Sequence, residues 1–148
     1  MKKIFFLLVG LVCSIGCFAQ GVEDDLYNTS DFAAMAHLGV LFLGEGRECI
    51  MLPKMFNVEE KLSRMNSLHK KVENIIEACH RYTQKFRKDN IGLEGYTKGE
   101  IRNMKKEAEN DIYSKLSDLK GEVSSIKSEI QQRIRGNMAI NSMFFNIY

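Results

Sequence analysis

From Val58 onward, apolar residues recur at spacings of three and four: Val58, Leu62, Met65, Leu68, Val72, Ile75, Ile76, Cys79, Tyr82 and Phe86. This period puts them on one side of a 3.6-residue helix and predicts a helix over about 58–88. Asn57 with Glu60 three residues on supplies a capping-box start. In heptads, Val58, Met65, Val72, Cys79 and Phe86 form one seam row, and Leu62, His69, Ile76 and Thr83 form the other. A turn-rich stretch follows, with Asp89, Asn90, Gly92 and Gly95. Thr97 and Glu100 repeat the capping signal there. The apolar period then resumes through Ile101, Met104, Ala108, Ile112, Leu116, Leu119, Val123, Ile126, Ile130 and Ile134, which predicts a second helix over about 98–135. Asp111 with Lys115 and Glu129 with Arg133 add i,i+4 support, and Gly121 is its weak point.

Helices of about 45 and 57 Å joined by a short glycine-containing loop should fold back on each other. The expected fold is therefore all-α: a long antiparallel, coiled-coil-like helical hairpin within a small helical bundle. A lone hairpin buries too little apolar surface, so the flanking segments should complete the core. Residues 31–43, preceded by Ser30 as N-cap, read as a short buried helix. Gly44 and Gly46 should end it, and the connector 44–57 contains Pro53, the only proline. Residues 136–148 read as an apolar tail, with Met143, Phe144, Phe145, Ile147 and Tyr148 as a candidate interaction surface.

The first nineteen residues change the compartment. Lys2 and Lys3, an apolar run from Ile4 to Gly16 and the small Ala19 before Gln20 make a secretory signal peptide, with cleavage expected between Ala19 and Gln20. Thirteen apolar residues fall short of the roughly 20 that span a bilayer. The expected mature chain is a single helical domain, residues 20–148, periplasmic or secreted, with no transmembrane span. A lipid anchor at Cys17, after Gly16, is the minor alternative. Cleavage leaves Cys49 and Cys79, and an oxidising compartment favours one disulfide between them. Two free thiols and an intermolecular bond are the alternatives. Asn28 begins an N-glycosylation sequon, relevant only where exported chains are glycosylated.

Charge is nearly balanced overall but unevenly placed. Residues 20–49 carry an excess of acids, and residues 54–89 an excess of Lys and Arg. Self-complementarity explains this, with the acidic N-terminal region lying on the basic helix. No aromatic-flanked basic motif is present to stack bases, so nucleic acid is not an expected partner.

No enzymatic or cofactor constellation emerges. Cys79 and His80 are adjacent on a helix and diverge by about 100°, while His69 lies about 16 Å from His80 along the axis, so zinc binding is not expected. Cys79 on a packed seam is no nucleophile. The run from Gly44 to Cys49 lacks the Gly-Lys pair of a phosphate loop, and Glu23 to Asp25 lack the spacing of a calcium loop. The methionines, among them Met35, Met51, Met55, Met65, Met104, Met138 and Met143, suit adaptable packing or a promiscuous apolar surface better than copper binding.

What remains is an exported, non-enzymatic protein without cofactors. It would act through contacts with other envelope proteins or through self-association of helical faces. In organisation, a signal peptide followed by a long helical hairpin resembles the small helical periplasmic subunits of conjugation and type IV secretion machines, which implies a structural or adaptor role in an envelope assembly. The alternative is a periplasmic holdase-type chaperone, similar in plan to the trimeric coiled-coil chaperones of outer-membrane proteins, although no strand pattern supplies their trimerisation body.

Overall fold

The computed structural model describes residues 26–145, with side chains described through Met138. The described residues form a helical bundle without strands: α1 (Ser30–Ile50), α2 (Val58–Lys85) and α3 (Lys98–Phe145), with a 3-10 turn at Ile91–Leu93 between the last two. The leader, the cleavage pair Ala19 and Gln20, Cys17, Glu23 to Asp25, Ile147 and Tyr148 lie outside the described residues.

Local chemistry sets the helix starts. The Glu60 amide donates to Asn57 Oδ1 at 2.8 Å, which caps α2. At α3 the box is complete, because the Glu100 amide donates to Thr97 Oγ1 and the Thr97 amide donates to Glu100 Oε2. Ser30 was the expected cap of α1 but is its first helical residue; Asn28 Oδ1 accepts from the Ser30 amide at 3.0 Å. The helix α2 ends at Lys85, short of 88, where Asn90 Nδ2 donates to the Lys85 carbonyl at 2.7 Å. Gly95 turns the loop with φ of 88°, a conformation that favours glycine.

The core is that of a small helical bundle, as expected, but α1 is a longer member of it than the short helix read over 31–43. This helix packs against both α2 and α3. Contrary to the expected boundary at 43, it runs on to Ile50, so the connector 44–57 shrinks to 51–57. Gly44 and Gly46 do not stop it. At Gly46 both neighbouring helices pack close against α1: a Cβ there would sit 2.7 Å from Leu68 Cδ1 and 3.1 Å from Val123 Cγ2. One heptad earlier, a Cβ on Gly39 would meet Ile75 Cγ2 at 3.4 Å and Leu116 Cδ2 at 3.7 Å. Of the two glycines read as terminators, Gly46 acts instead as a close-packing position, while Gly44 faces open space.

Cross-helix pairs fix the register. Between α2 and α3, Arg64 meets Glu129 at 2.6 Å, Lys71 meets Glu122 at 2.9 Å and Tyr82 donates to Asp111 at 2.8 Å. The numbers rise on one helix as they fall on the other, so these two run in opposite senses. The Gly46–Leu68 and Gly39–Ile75 contacts, with the Phe32 and Tyr82 rings 5.8 Å apart, put α1 and α2 in opposite senses too. Phe32 also stacks on Phe86 with centroids 6.0 Å apart, which closes one end of the core.

Two neighbours rather than one shift the buried side of α2. Leu68, Val72, Ile75, Ala78, Cys79 and Phe86 are buried, whereas Val58, Leu62 and Ile76, placed on the apolar side by their spacing, are exposed. The α3 period holds from Ile101 to Ile130, and Ile134 is exposed. The predicted tail is likewise not a separate segment, since α3 continues as helix through Phe145. Among the described residues, no ion pair joins α1 to α2: Glu45 of α1 pairs with Lys127 of α3, and Arg64 and Lys71 of α2 pair with Glu129 and Glu122 of α3.

Candidate interaction surface

At the end of the bundle where α1 finishes and α2 begins, the 51–57 connector is tied down by an aromatic ring and charges. Phe56 is buried, and the guanidinium carbons of Arg64 and Arg133 lie 4.4 and 4.8 Å from its ring centroid. Glu129 accepts from both arginines, at 2.6 and 2.9 Å. Arg133 also donates to the Met55 carbonyl and lies 3.5 Å from Glu60, whose Oε2 is enclosed without a hydrogen bond. Lys54, with φ of 64°, completes this tight connection. Sequence reasoning did not find this clip, because its members come from three separate segments.

Around the clip, exposed apolar side chains stand among polar ones. Val58 is 81% exposed, Leu62 62% and Met138 67%, with Met51, Leu52 and Ile134 also exposed. These six side chains come from the connector, the first turns of α2 and the far part of α3, and the helix register brings them to one end. Every side chain from 131 to 138 is exposed. By the α2–α3 register, residue 135 is level with Val58, so residues 136–145 project about 15 Å past the start of α2. Met143, Phe144 and Phe145, picked from sequence as an interaction tail, fall on this projecting helix. Leu52 was missed as a surface candidate; an apolar residue beside Pro53 in a connector was the available signal.

The cysteines do not form the expected fastening. Cys49 and Cys79 are both free, which corrects the predicted disulfide. The register explains it: Cys49 is level with about residue 65 of α2, which leaves about 21 Å along the axis to Cys79. Bonded cysteines need Cα atoms within about 7 Å. Burial raises the pKa of both thiols above the ordinary value, and Glu48 adds to the rise at Cys49, so both are weak nucleophiles at neutral pH. Cys79 does face the core, as its seam position predicted.

His80 lies on the outside against Gln84 at 3.0 Å, and His69 is exposed. Among the described residues, no group of three or more His, Cys, Asp or Glu is arranged to hold a metal ion. None of their helices is long and apolar enough to cross a membrane. Asn28, the sequon residue, is exposed; its side chain accepts from the Ser30 amide and its carbonyl accepts from Lys105 at 2.5 Å.

A second cluster sits where α1 starts beside α3. Burial raises the pKa of Glu109, with Asp31 adding to the rise against the pull of Lys105. Tyr113 is raised by burial and by the same two acids. Asp111 is held below the ordinary carboxylate range, chiefly by its hydrogen bond from Lys115 and also by the one from Tyr82. Of these groups, Tyr82 and Asp111 join α2 to α3 by their hydrogen bond.

No protein-family model, no curated protein and no solved structure matches the chain.

Proposed function

We propose that the protein is an exported, non-enzymatic contact protein, a structural or adaptor subunit of a cell-envelope assembly such as a secretion or conjugation machine. One observation carries this reading: exposed Val58, Leu62, Met51, Leu52, Ile134 and Met138 gather at the end from which α3 projects. Helices shorter than about 12–15 residues are marginal alone in water, so a projecting helical end with apolar side chains beside it suits a surface completed by another protein. In this reading α2 and α3 form the antiparallel, coiled-coil-like hairpin, and α1 braces it through the glycine contacts so that the projecting end is held rigidly. The amino-terminal leader accounts for the location, periplasmic or secreted, and the weakly nucleophilic thiols fit an absence of cysteine chemistry.

Photo-crosslinking in the native cell envelope tests it. A crosslinker at Leu62 or Met138 should capture a specific protein, and one at exposed Lys106, near the opposite end, should not. Capture of nothing specific from either apolar position would overturn the reading. Exposed Met51 and Met138 also suit an adaptable client-binding surface, which keeps a holdase-type chaperone as the second reading. Suppression of the aggregation of unfolded outer-membrane proteins, lost in Met138→Glu, would favour it.

A further inference from the structure

The projecting end of α3 and the apolar surface beside it complement each other, and we infer that the occupant of that surface is a second copy of this chain. Each copy has one projecting helix and one receiving patch, so a two-fold arrangement can satisfy both at once. With the two α3 helices antiparallel and centred near residue 135, residues 136–145 of one copy run back along the levels of 134–125 of the other. By the register, Leu62 is level with 131, and Met51 and Leu52 are level with about 128 and 129. The projecting helix of one copy is therefore level with exposed Leu62, Leu52 and Met51 of its partner, and laid on their side of the bundle it covers them. Met138 falls level with Leu62.

Charge selects the same register. Arg135 and Glu59 are both exposed, and neither has an ion-pair partner among the described residues. Within one chain Glu59 is level with 134, so in the two-fold arrangement each Arg135 comes level with the partner's Glu59, giving two symmetric charge pairs. The sequence from 136 to 145 contains no acid or base, so nothing charged has to be buried beneath the partner.

The size is adequate. Half the circumference of a helix about 11 Å across, over the roughly 22 Å of residues 131–145, presents roughly 400 Å². The exposed parts of Val58, Leu62, Met51 and Leu52 add roughly as much again, close to the ~800 Å² that each partner contributes to a typical stable interface. The dimer is elongated, with two bundles joined end to end and the Phe32–Phe86 ends pointing outward. This deepens the contact-protein reading and can fail without it.

Sedimentation of the chain, purified from the cells that make it, tests the inference. A dimer is expected. Leu62→Glu and Met138→Glu should each weaken it at least tenfold while the helical circular dichroism and the melting of the monomer stay intact, because both side chains are exposed. Glu59→Arg should weaken it less, and adding Arg135→Glu to the same chain should restore it. A chain that stays monomeric at every concentration overturns the inference, as does a dimer that Leu62→Glu and Glu59→Arg leave unchanged. A monomer that binds a different envelope protein through Leu62 also removes the second copy as occupant, and it leaves the contact-protein reading standing.

Discussion

Gly44 and Gly46 are two residues apart on α1, so replacing each with alanine separates helix propensity from close packing. In a helix interior Gly→Ala contributes up to about 1 kcal/mol of stability from propensity. At Gly44 a new Cβ meets nothing within 4 Å, so that gain should appear almost whole. At Gly46 the Cβ arrives 2.7 Å from Leu68 Cδ1 and 3.1 Å from Val123 Cγ2. Leu68 is fully buried and cannot swing out into solvent, and Val123 is β-branched and stiff at χ1. Overpacking of this kind costs about 1–3 kcal/mol, so Gly46→Ala should range from neutral to about 2 kcal/mol destabilised. The two variants should thus differ by about 1–3 kcal/mol, with Gly44→Ala the more stable. Urea unfolding followed by circular dichroism at the helix band measures this as a change in midpoint at unchanged slope. Gly39→Ala is a graded control, because its nearest contact, at 3.4 Å, is ordinary van der Waals distance. If Gly46→Ala proves as stable as Gly44→Ala, the close approach is wrong and α1 does not pack against both α2 and α3 at this position.

Three further outcomes are expected. Thiol titration of the folded chain should find Cys49 and Cys79 both reactive as free thiols, with half-buried Cys49 labelled well before buried Cys79; a missing pair of thiols would mean that the bond forms by a rearrangement of α1. Asp111 has a depressed pKa, so its contribution, a few tenths of a kcal/mol for a part-exposed pair, is fully present above the ordinary carboxylate range near 4 and is lost as pH falls through the lower folded value. The stability gap between the native chain and Asp111→Asn should therefore close in acid, and a gap independent of pH would refute the Lys115 and Tyr82 contacts as its source. Phe56→Ala removes a buried ring and both cation–π contacts, and a loss of about 3 kcal/mol in chemical denaturation is expected; a loss below about 1 kcal/mol would mean the clip does not hold the connector.

Much of the fold was legible because helix signals are local. The period from Ile101 to Ile130, the capping residues Asn57 and Thr97, and the turn at Gly95 each act within a few residues, so α2 and α3 could be placed from spacing alone. The same local rules failed at Gly44 and Gly46. A glycine reads as a terminator when its neighbours in space are unknown, and as a packing residue once Leu68 and Val123 are seen against it. The disulfide failed for the same reason, since pairing two cysteines by elimination ignores the axial level that only the register sets.

The sequence by itself determined that this chain is helical, where α2 and α3 begin, and that Cys79 faces inward, because periodicity and capping are properties of a single helix. The tertiary structure alone decided which apolar residues remain outside. Val58, Leu62 and Ile76 share the periodicity of Leu68 and Ile75, yet α1 and α3 cover only part of the circumference of α2. That uncovered part, together with the length of α3 beyond Ile130, leaves periodic apolar residues exposed at one end of the bundle.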